Sequence, residues 1–237
     1  PEVPGKDNIA PYEFVAWILG QCADIAEVKE KLKTINIADI RFNESLPLSP
    51  MHWMFSDRES TIVVEPLKEG LKVYDNPVGV LTNDPVFEFQ LFNLNQYMGL
   101  SCEKPQNTFS QNLELNCYSR GMGSFGLPGD LTSISRFVRA SFIACNSVSG
   151  DTESESISQF FHILNSVAFP RGCVHMGDGK DEITIYSSCC NVDKGIYYYT
   201  TYENNQISAV NMYRENLRGN RVLLYPVING QQVRWQN

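Results

Sequence analysis

The residues best placed to do chemistry lie at 126–139, Gly-Leu-Pro-Gly-Asp-Leu-Thr-Ser-Ile-Ser-Arg-Phe-Val-Arg. A Gly/Pro turn runs straight into an amphipathic helix ending near Asn146. Apolar or small residues recur at Ile134, Phe137, Val138, Ser141, Phe142 and Cys145, the i, i+3, i+4, i+7 face of a helix on a core. Asp130, Thr132 and Ser133 are all N-cap candidates. Arg136 is the odd residue. It falls in the first turn, where the dipole is positive and N–H groups are unpaired, so a cation there is disfavoured. It is either a surface residue paired with an acid such as Asp130, or a cation aimed at an anion or a reaction centre. A second candidate is Asn83 in Thr82-Asn83-Asp84-Pro85. On local chemistry alone this is an Asx turn.

Familiar catalytic patterns are missing. There is no Gly-x-Ser-x-Gly, no His-Glu-x-x-His and no spaced Cys/His/Asn signature. His52, His162 and His175 lack metal spacing and read as packed or surface histidines, so no metal or other cofactor is expected. Gly177-Asp178-Gly179 is too short and wrongly placed for a phosphate loop. Seven cysteines, with Cys189 and Cys190 adjacent and no Cys-x-x-Cys, form neither a disulfide framework nor a zinc site. Free thiols suit a reducing cytosol.

The turn and helix at 126–139 resemble the choloylglycine hydrolase family of conjugated bile salt hydrolases and penicillin V acylases. Four more pieces agree in order: Met51-His52-Trp53, Ile62-Val63-Val64-Glu65, Gly79-Val80-Leu81-Thr82-Asn83-Asp84-Pro85, and Lys194-Gly195-Ile196-Tyr197-Tyr198-Tyr199. The resemblance spans nearly the whole chain. It implies a four-layer αββα sandwich of the N-terminal-nucleophile type. It implies hydrolysis of glycine or taurine conjugates of bile acids, with penicillin V as the alternative substrate and a non-catalytic bile-acid-binding relative as a further one. The family's nucleophile is an N-terminal Cys whose α-amino group serves as base. That Cys, with an Arg, an Asp and an Asn of the site, precedes the point at which this chain begins. The 237 residues therefore look like a domain incomplete at its N-terminus. By the same resemblance Asn83 orients the amine or donates to the oxyanion, and Arg136 sits beside the thiol. Phe42, Leu46 and Met51 fall on apolar acyl-pocket positions. A homotetramer is implied, with an assembly excursion at 100–122.

Composition bounds the rest. Asp and Glu outnumber Lys and Arg by 27 to 19, a net charge of −8, with no basic stripe carrying interleaved aromatics. That excludes a nucleic-acid partner. Hydrophobic residues are 43%, enough for an ordinary core, and no apolar run approaches the ~20 residues of a membrane span. The expectation is a cytoplasmic protein that touches no membrane.

Several elements must position the two candidate residues. Short helices are expected over 12–20 and after Asp24, where Glu27 stands at capping-box spacing. The long connection 36–50 carries Phe42, Leu46 and other apolar residues. Strands at 52–55, 61–65 and 71–74 form an antiparallel meander, with a fourth at 78–81 leading into Asn83. A helix is expected over 87–99, a polar linker at 147–156, a helix from Ile157, and a glycine-rich loop at 172–181. Four strands close the chain at 182–187, 195–201, 206–213 and 222–227. The strands and helices do not interleave as βαβ, so the class is α+β in a single domain over 1–237.

Overall fold

The computed structural model describes all 237 residues. The fold is α+β, and the chain divides into two compact units, Pro1–Cys145 and Asn146–Asn237. No helix is long and apolar enough to cross a membrane.

The first unit is built on one strand. Strands β3 (Trp53–Ser56), β4 (Thr61–Leu67) and β5 (Gly70–Asp75) form an antiparallel sheet with β4 in the middle. Ile62, Val63 and Val64 are fully buried, so β4 is covered on both faces. Alternation along a strand sends neighbours to opposite sides. Ile62 and Val64 join Trp53 and Phe55 against α1 (Phe14–Leu19) and α2 (Ile25–Leu32), which supply Phe14, Ile18, Ile25, Val28 and Leu32. Val63 faces the other way and packs with Phe87 and Phe137. These belong to α3 (Phe87–Asn93) and α4 (Ser133–Asn146), and their rings meet edge to face at 5.9 Å. Burying such a ring contributes about 1.5–3 kcal/mol, and this contact joins the two helices that flank the candidate residues.

Helix α2 starts as expected. The Asp24 carboxylate accepts the Glu27 N–H at 2.9 Å, and Glu27 in turn accepts from Ala23. Short strands β1 (Asp7–Ile9) and β2 (Ile35–Ile37) pair in parallel beside it. After α3 the chain makes a single 3-10 segment at Leu94–Tyr97 rather than a helix continuing to residue 99. Residues 100–121 contain no helix or strand, and the excursion closes where the Ser101 N–H donates to the Gly123 carbonyl at 2.9 Å. A Cβ at residue 123 would collide with the Glu103 carbonyl, so only glycine lets the two ends meet.

The expected strand at 78–81 does not form. Asn76 takes its backbone groups instead: Oδ1 accepts from the Val78 and Gly79 N–H groups, and Nδ2 donates to the Val80 carbonyl. A buried asparagine that satisfies this backbone locally removes it from sheet pairing. Cys145, expected on the buried face of α4, is exposed, because the buried stripe runs through Ser135, Phe137, Val138, Ala140 and Ser141.

In the second unit, α5 (Glu153–Asn165) begins inside the expected polar linker. Thr152 and Glu155 form a reciprocal capping box that starts the helix four residues before Ile157. The glycine-rich stretch folds into a small hairpin, β6 (His175–Gly177) with β7 (Lys180–Asp181). Strands β8 (Tyr186–Asn191), β9 (Ile196–Thr201) and β10 (Asn204–Asn211) make an antiparallel sheet with β9 central. β8 starts later than expected because Glu182 and Thr184 spend their N–H groups on Val174 and Phe169. Residues 222–227 form no strand; Leu223, Leu224, Tyr225 and Val227 instead line a cavity of about 710 Å³ with tyrosines of β8 and β9.

Glu153 ties α5 to that sheet. Its carboxylate accepts from Lys194 Nζ at 2.7 Å, from Tyr198 at 3.1 Å and from Asn191. The Lys194 bond, then those of Asn191 and Tyr198, hold its pKa below the usual glutamate value. A depressed carboxylate stabilises the fold above the unfolded pKa of about 4.3 and loses that contribution as pH falls through the folded value. Glu153→Gln should therefore lower the melting temperature at pH 7 and flatten its decline below pH ~4.3. A melting curve whose acid limb matches the wild type would remove this role.

Candidate functional site

Asn83 and Arg136 meet. Although 53 positions apart, Arg136 Nη2 donates to Asn83 Oδ1 at 2.7 Å. Both residues belong to the first unit.

The turn carrying Asn83 is held from several directions. Asn76 fixes residues 78–80, and the Thr82 hydroxyl donates to the Ser133 carbonyl at 3.1 Å. The Ser133 hydroxyl returns a bond to Thr82 Oγ1 at 3.0 Å. Gln90 of α3 is 1% exposed and its Nε2 lies within 3.2–3.3 Å of the Asn83 carbonyl, Thr82 Oγ1 and Ser133 Oγ. Its Oε1 is buried without a partner. One amide thus joins the start of α4 to the backbone of the Asn83 turn. The Asp84–Pro85 peptide that follows is cis.

Arg136 is fixed from its own side. The Thr132 hydroxyl accepts the Ser135 N–H, and the Arg136 N–H donates to the Thr132 carbonyl, which places Arg136 at the end of the first turn. Asp130 accepts from the Ser135 hydroxyl at 2.6 Å and from both the hydroxyl and N–H of Thr132. The Ser135 bond, then those of Thr132, bring its carboxyl down to about 2. Asp130 therefore organises the helix start. Arg139 donates to the Pro128 and Asp130 carbonyls and stitches the Gly/Pro turn, while Arg136 Nε donates to the Leu131 carbonyl at 3.2 Å. With Nε anchored, the planar guanidinium has one orientation and presents Nη2 to Asn83.

The contact has a chemical consequence. A guanidinium only donates, so the Asn83 atom facing it must be the carbonyl oxygen. That fixes the amide flip and turns Nδ2 away from the cation as a free donor. A fixed donor is what an oxyanion or an amine lone pair needs.

Asn83 also lines a cavity of about 150 Å³ together with Met51, His52, Glu65, Asp84 and Val86. Met51 is thus brought to the site. Phe42 and Leu46 do not line this cavity: Phe42 packs edge-on against Tyr12 at 5.2 Å, and both are more than half exposed. None of the seven cysteines lines it, and no group of His, Cys, Asp and Glu is arranged to hold a metal. Sequence reasoning missed Glu65, Gln90 and the pairing of His52 at 3.2 Å with Glu65. The available signal for Glu65 was an acid inside the apolar run Thr61–Leu67.

Comparison with known proteins places the chain in a family. The family model described as linear amide C–N hydrolases, choloylglycine hydrolase family, matches residues 2–225. The bile salt hydrolase/transferase of Lactiplantibacillus plantarum is 55% identical over 222 residues, covering 94% of this chain and 68% of the relative. A solved variant of the conjugated bile acid hydrolase from Clostridium perfringens superposes with a TM-score of 0.91 at 43% identity, covering all of this chain and 72% of the other. The penicillin V acylase from Agrobacterium tumefaciens matches at 0.65 and 21% identity over 90% of this chain and 60% of its own, a likeness of fold alone.

Proposed function

The chain belongs to the choloylglycine hydrolase family of linear amide C–N hydrolases, and from that premise we propose that it deconjugates glycine- and taurine-conjugated bile acids. The observation that carries the reading is the Arg136–Asn83 contact, which leaves an oriented amide donor beside a cation. The names and identities of the relatives favour bile acid amides over penicillin V, whose acylase is similar in fold at 21% identity.

In the proposed reaction a cysteine thiolate attacks the amide carbonyl. The C–N bond breaks, the amine leaves with a proton, and an acyl-thioester remains until water releases the bile acid. No cysteine of residues 1–237 lines the Asn83 cavity, so the nucleophile is assigned to the family's N-terminal Cys outside these residues. Asn83 Nδ2 donates to the oxyanion or to the α-amino group. Arg136 lowers the thiol pKa and stabilises the developing negative charge. Met51 forms part of the apolar wall for the acyl group; Phe42 and Leu46 complete it from the 36–50 connection.

The compartment proposed is a bacterial cytoplasm, which fits seven free thiols. The assembly proposed is a homotetramer built through residues 100–122, which expose Phe109 and Tyr118 by 81% and 84%.

Two experiments test these proposals on the protein expressed from its complete coding sequence. Glycine and taurine release from conjugated bile acids should be readily measured. Arg136→Leu should reduce kcat about 10²-fold or more and raise the half-maximal pH of thiol alkylation, because the thiolate loses its cationic neighbour, while Arg136→Lys keeps the charge without the planar fork and should restore little activity. Release at wild-type rates with an unmoved alkylation profile would take Arg136 out of the site; no release by the wild type would favour a binding protein. Deleting residues 103–120 should shift the sedimenting species to lower mass, and an unchanged assembly would contradict the tetramer contact.

A further inference from the structure

We propose that Glu65 is a positioning residue, its buried carboxylate holding the Asn83 turn and the Met51 wall of the cavity in one arrangement. Glu65 is 3% exposed in the middle of β4, on the side of the strand that faces α3 and α4. Taking a carboxylate out of water is costly unless its oxygens are satisfied. Here they are satisfied by two segments distant in sequence. Both oxygens lie 3.1 Å from the Phe87 N–H, and Oε1 lies 3.2 Å from His52 Nδ1.

Those two partners are informative. Phe87 opens α3 four residues after Asn83, and its N–H is one of the groups a helix start leaves unpaired. The preceding Val86 offers no side-chain cap, so the remote Glu65 supplies the acceptor. A Ser or Asn at residue 86 would reach the second or third N–H of the helix rather than that of Phe87, and would not connect the turn to anything else. His52 follows Met51 directly and lines the same cavity as Asn83. Its other ring nitrogen, Nε2, makes no hydrogen bond to the protein. One carboxylate therefore sits beneath both the amide donor and the adjoining wall. An apolar residue would fill the space next to Val63 without fixing either.

The two connections should separate in kinetics. Asn83 is assigned to the transition state, so releasing its turn lowers kcat. Met51 is assigned to holding the acyl group, so releasing its segment raises KM. The kinetic arm of the test rests on the proposed amide hydrolysis; the exchange arm does not.

Glu65→Leu is close in volume and makes neither bond. It should lower kcat about 10²-fold, the scale of a donor displaced by roughly 1 Å. His52→Phe keeps the ring and loses Nδ1, and should raise KM about tenfold with kcat within about threefold. Hydrogen exchange read by mass spectrometry should accelerate in peptides covering 48–53 and 82–90 in Glu65→Leu, and in 48–53 alone in His52→Phe. A purely structural glutamate would lower the melting temperature and leave kcat and KM per folded molecule unchanged, which would overturn the proposal. A fall in kcat in His52→Phe equal to that in Glu65→Leu would also overturn it, because His52 would then act on the reacting atoms. If Glu65→Leu does not fold, His52→Phe carries the test, because it breaks the bond to Oε1 from the 48–53 side alone, and an unmoved KM with unaltered exchange in 48–53 contradicts the role. If the wild type releases no amino acid, the functional reading fails alone, and unaltered exchange in either peptide of Glu65→Leu still decides against Glu65.

Discussion

One hydrogen bond, from Arg136 Nη2 to Asn83 Oδ1, sets what the rest of the first unit must hold still. It joins a turn after a sheet to the first turn of a helix. It converts an ambiguous amide into a donor of known direction, because the guanidinium only donates and can face only the amide oxygen. It also explains why an arginine occupies a helix position that the dipole disfavours. The unfavourable placement is offset by bonds to the Leu131 carbonyl and the asparagine, neither of which requires an acid.

Precision at that contact depends on polar groups buried around it. Gln90 joins the Asn83 backbone to Ser133, Asn76 folds the approach to the turn, and Asp130 with Arg139 shapes the entry to α4. Beneath them, Val63, Phe87 and Phe137 pack β4 against α3 and α4, so the two helices share one apolar anchor. A buried polar network of this kind is costly when incomplete. Gln90 Oε1, buried without a partner, is the one such cost at the turn itself. The geometry is what a site needs: side chains locked by neighbours that are themselves locked.

Much of this was legible where local signals and packing agree. The β3–β5 meander follows from β-branched content and turns, and α2 from its Asp24 cap. Helix α4 follows from its apolar periodicity, against which Arg136 stands out as a misplaced cation. Legibility failed where a side chain captured backbone. Asn76 erased the strand expected at 78–81, and early bonds to Val174 and Phe169 delayed β8. The start of α5 is encoded in Thr152-x-x-Glu155, a capping box set among polar residues that otherwise look like linker. At the site, spacing alone marked Arg136 as unusual but made Asn83 an ordinary turn residue; only resemblance to a family paired them. Glu65 left a weak trace, a single acid in an apolar strand, because its two partners lie 13 and 22 positions away. Phe42 and Leu46 left no trace in spacing, because apolar residues on the long 36–50 connection look alike whether they meet a core or a ligand.

The central claim is that Arg136 fixes Asn83 so that its amide nitrogen donates during the reaction. Steady-state kinetics of Asn83→Asp, in the protein from its complete coding sequence, test this most directly. The substitution is isosteric, keeps an oxygen facing Arg136, and replaces the amide donor by a charged oxygen that can only accept. The account predicts a melting temperature held or raised by the new ion pair, a KM changed little, and a kcat reduced about 10²-fold or more. A kcat near that of the wild type, with the fold intact, would contradict it.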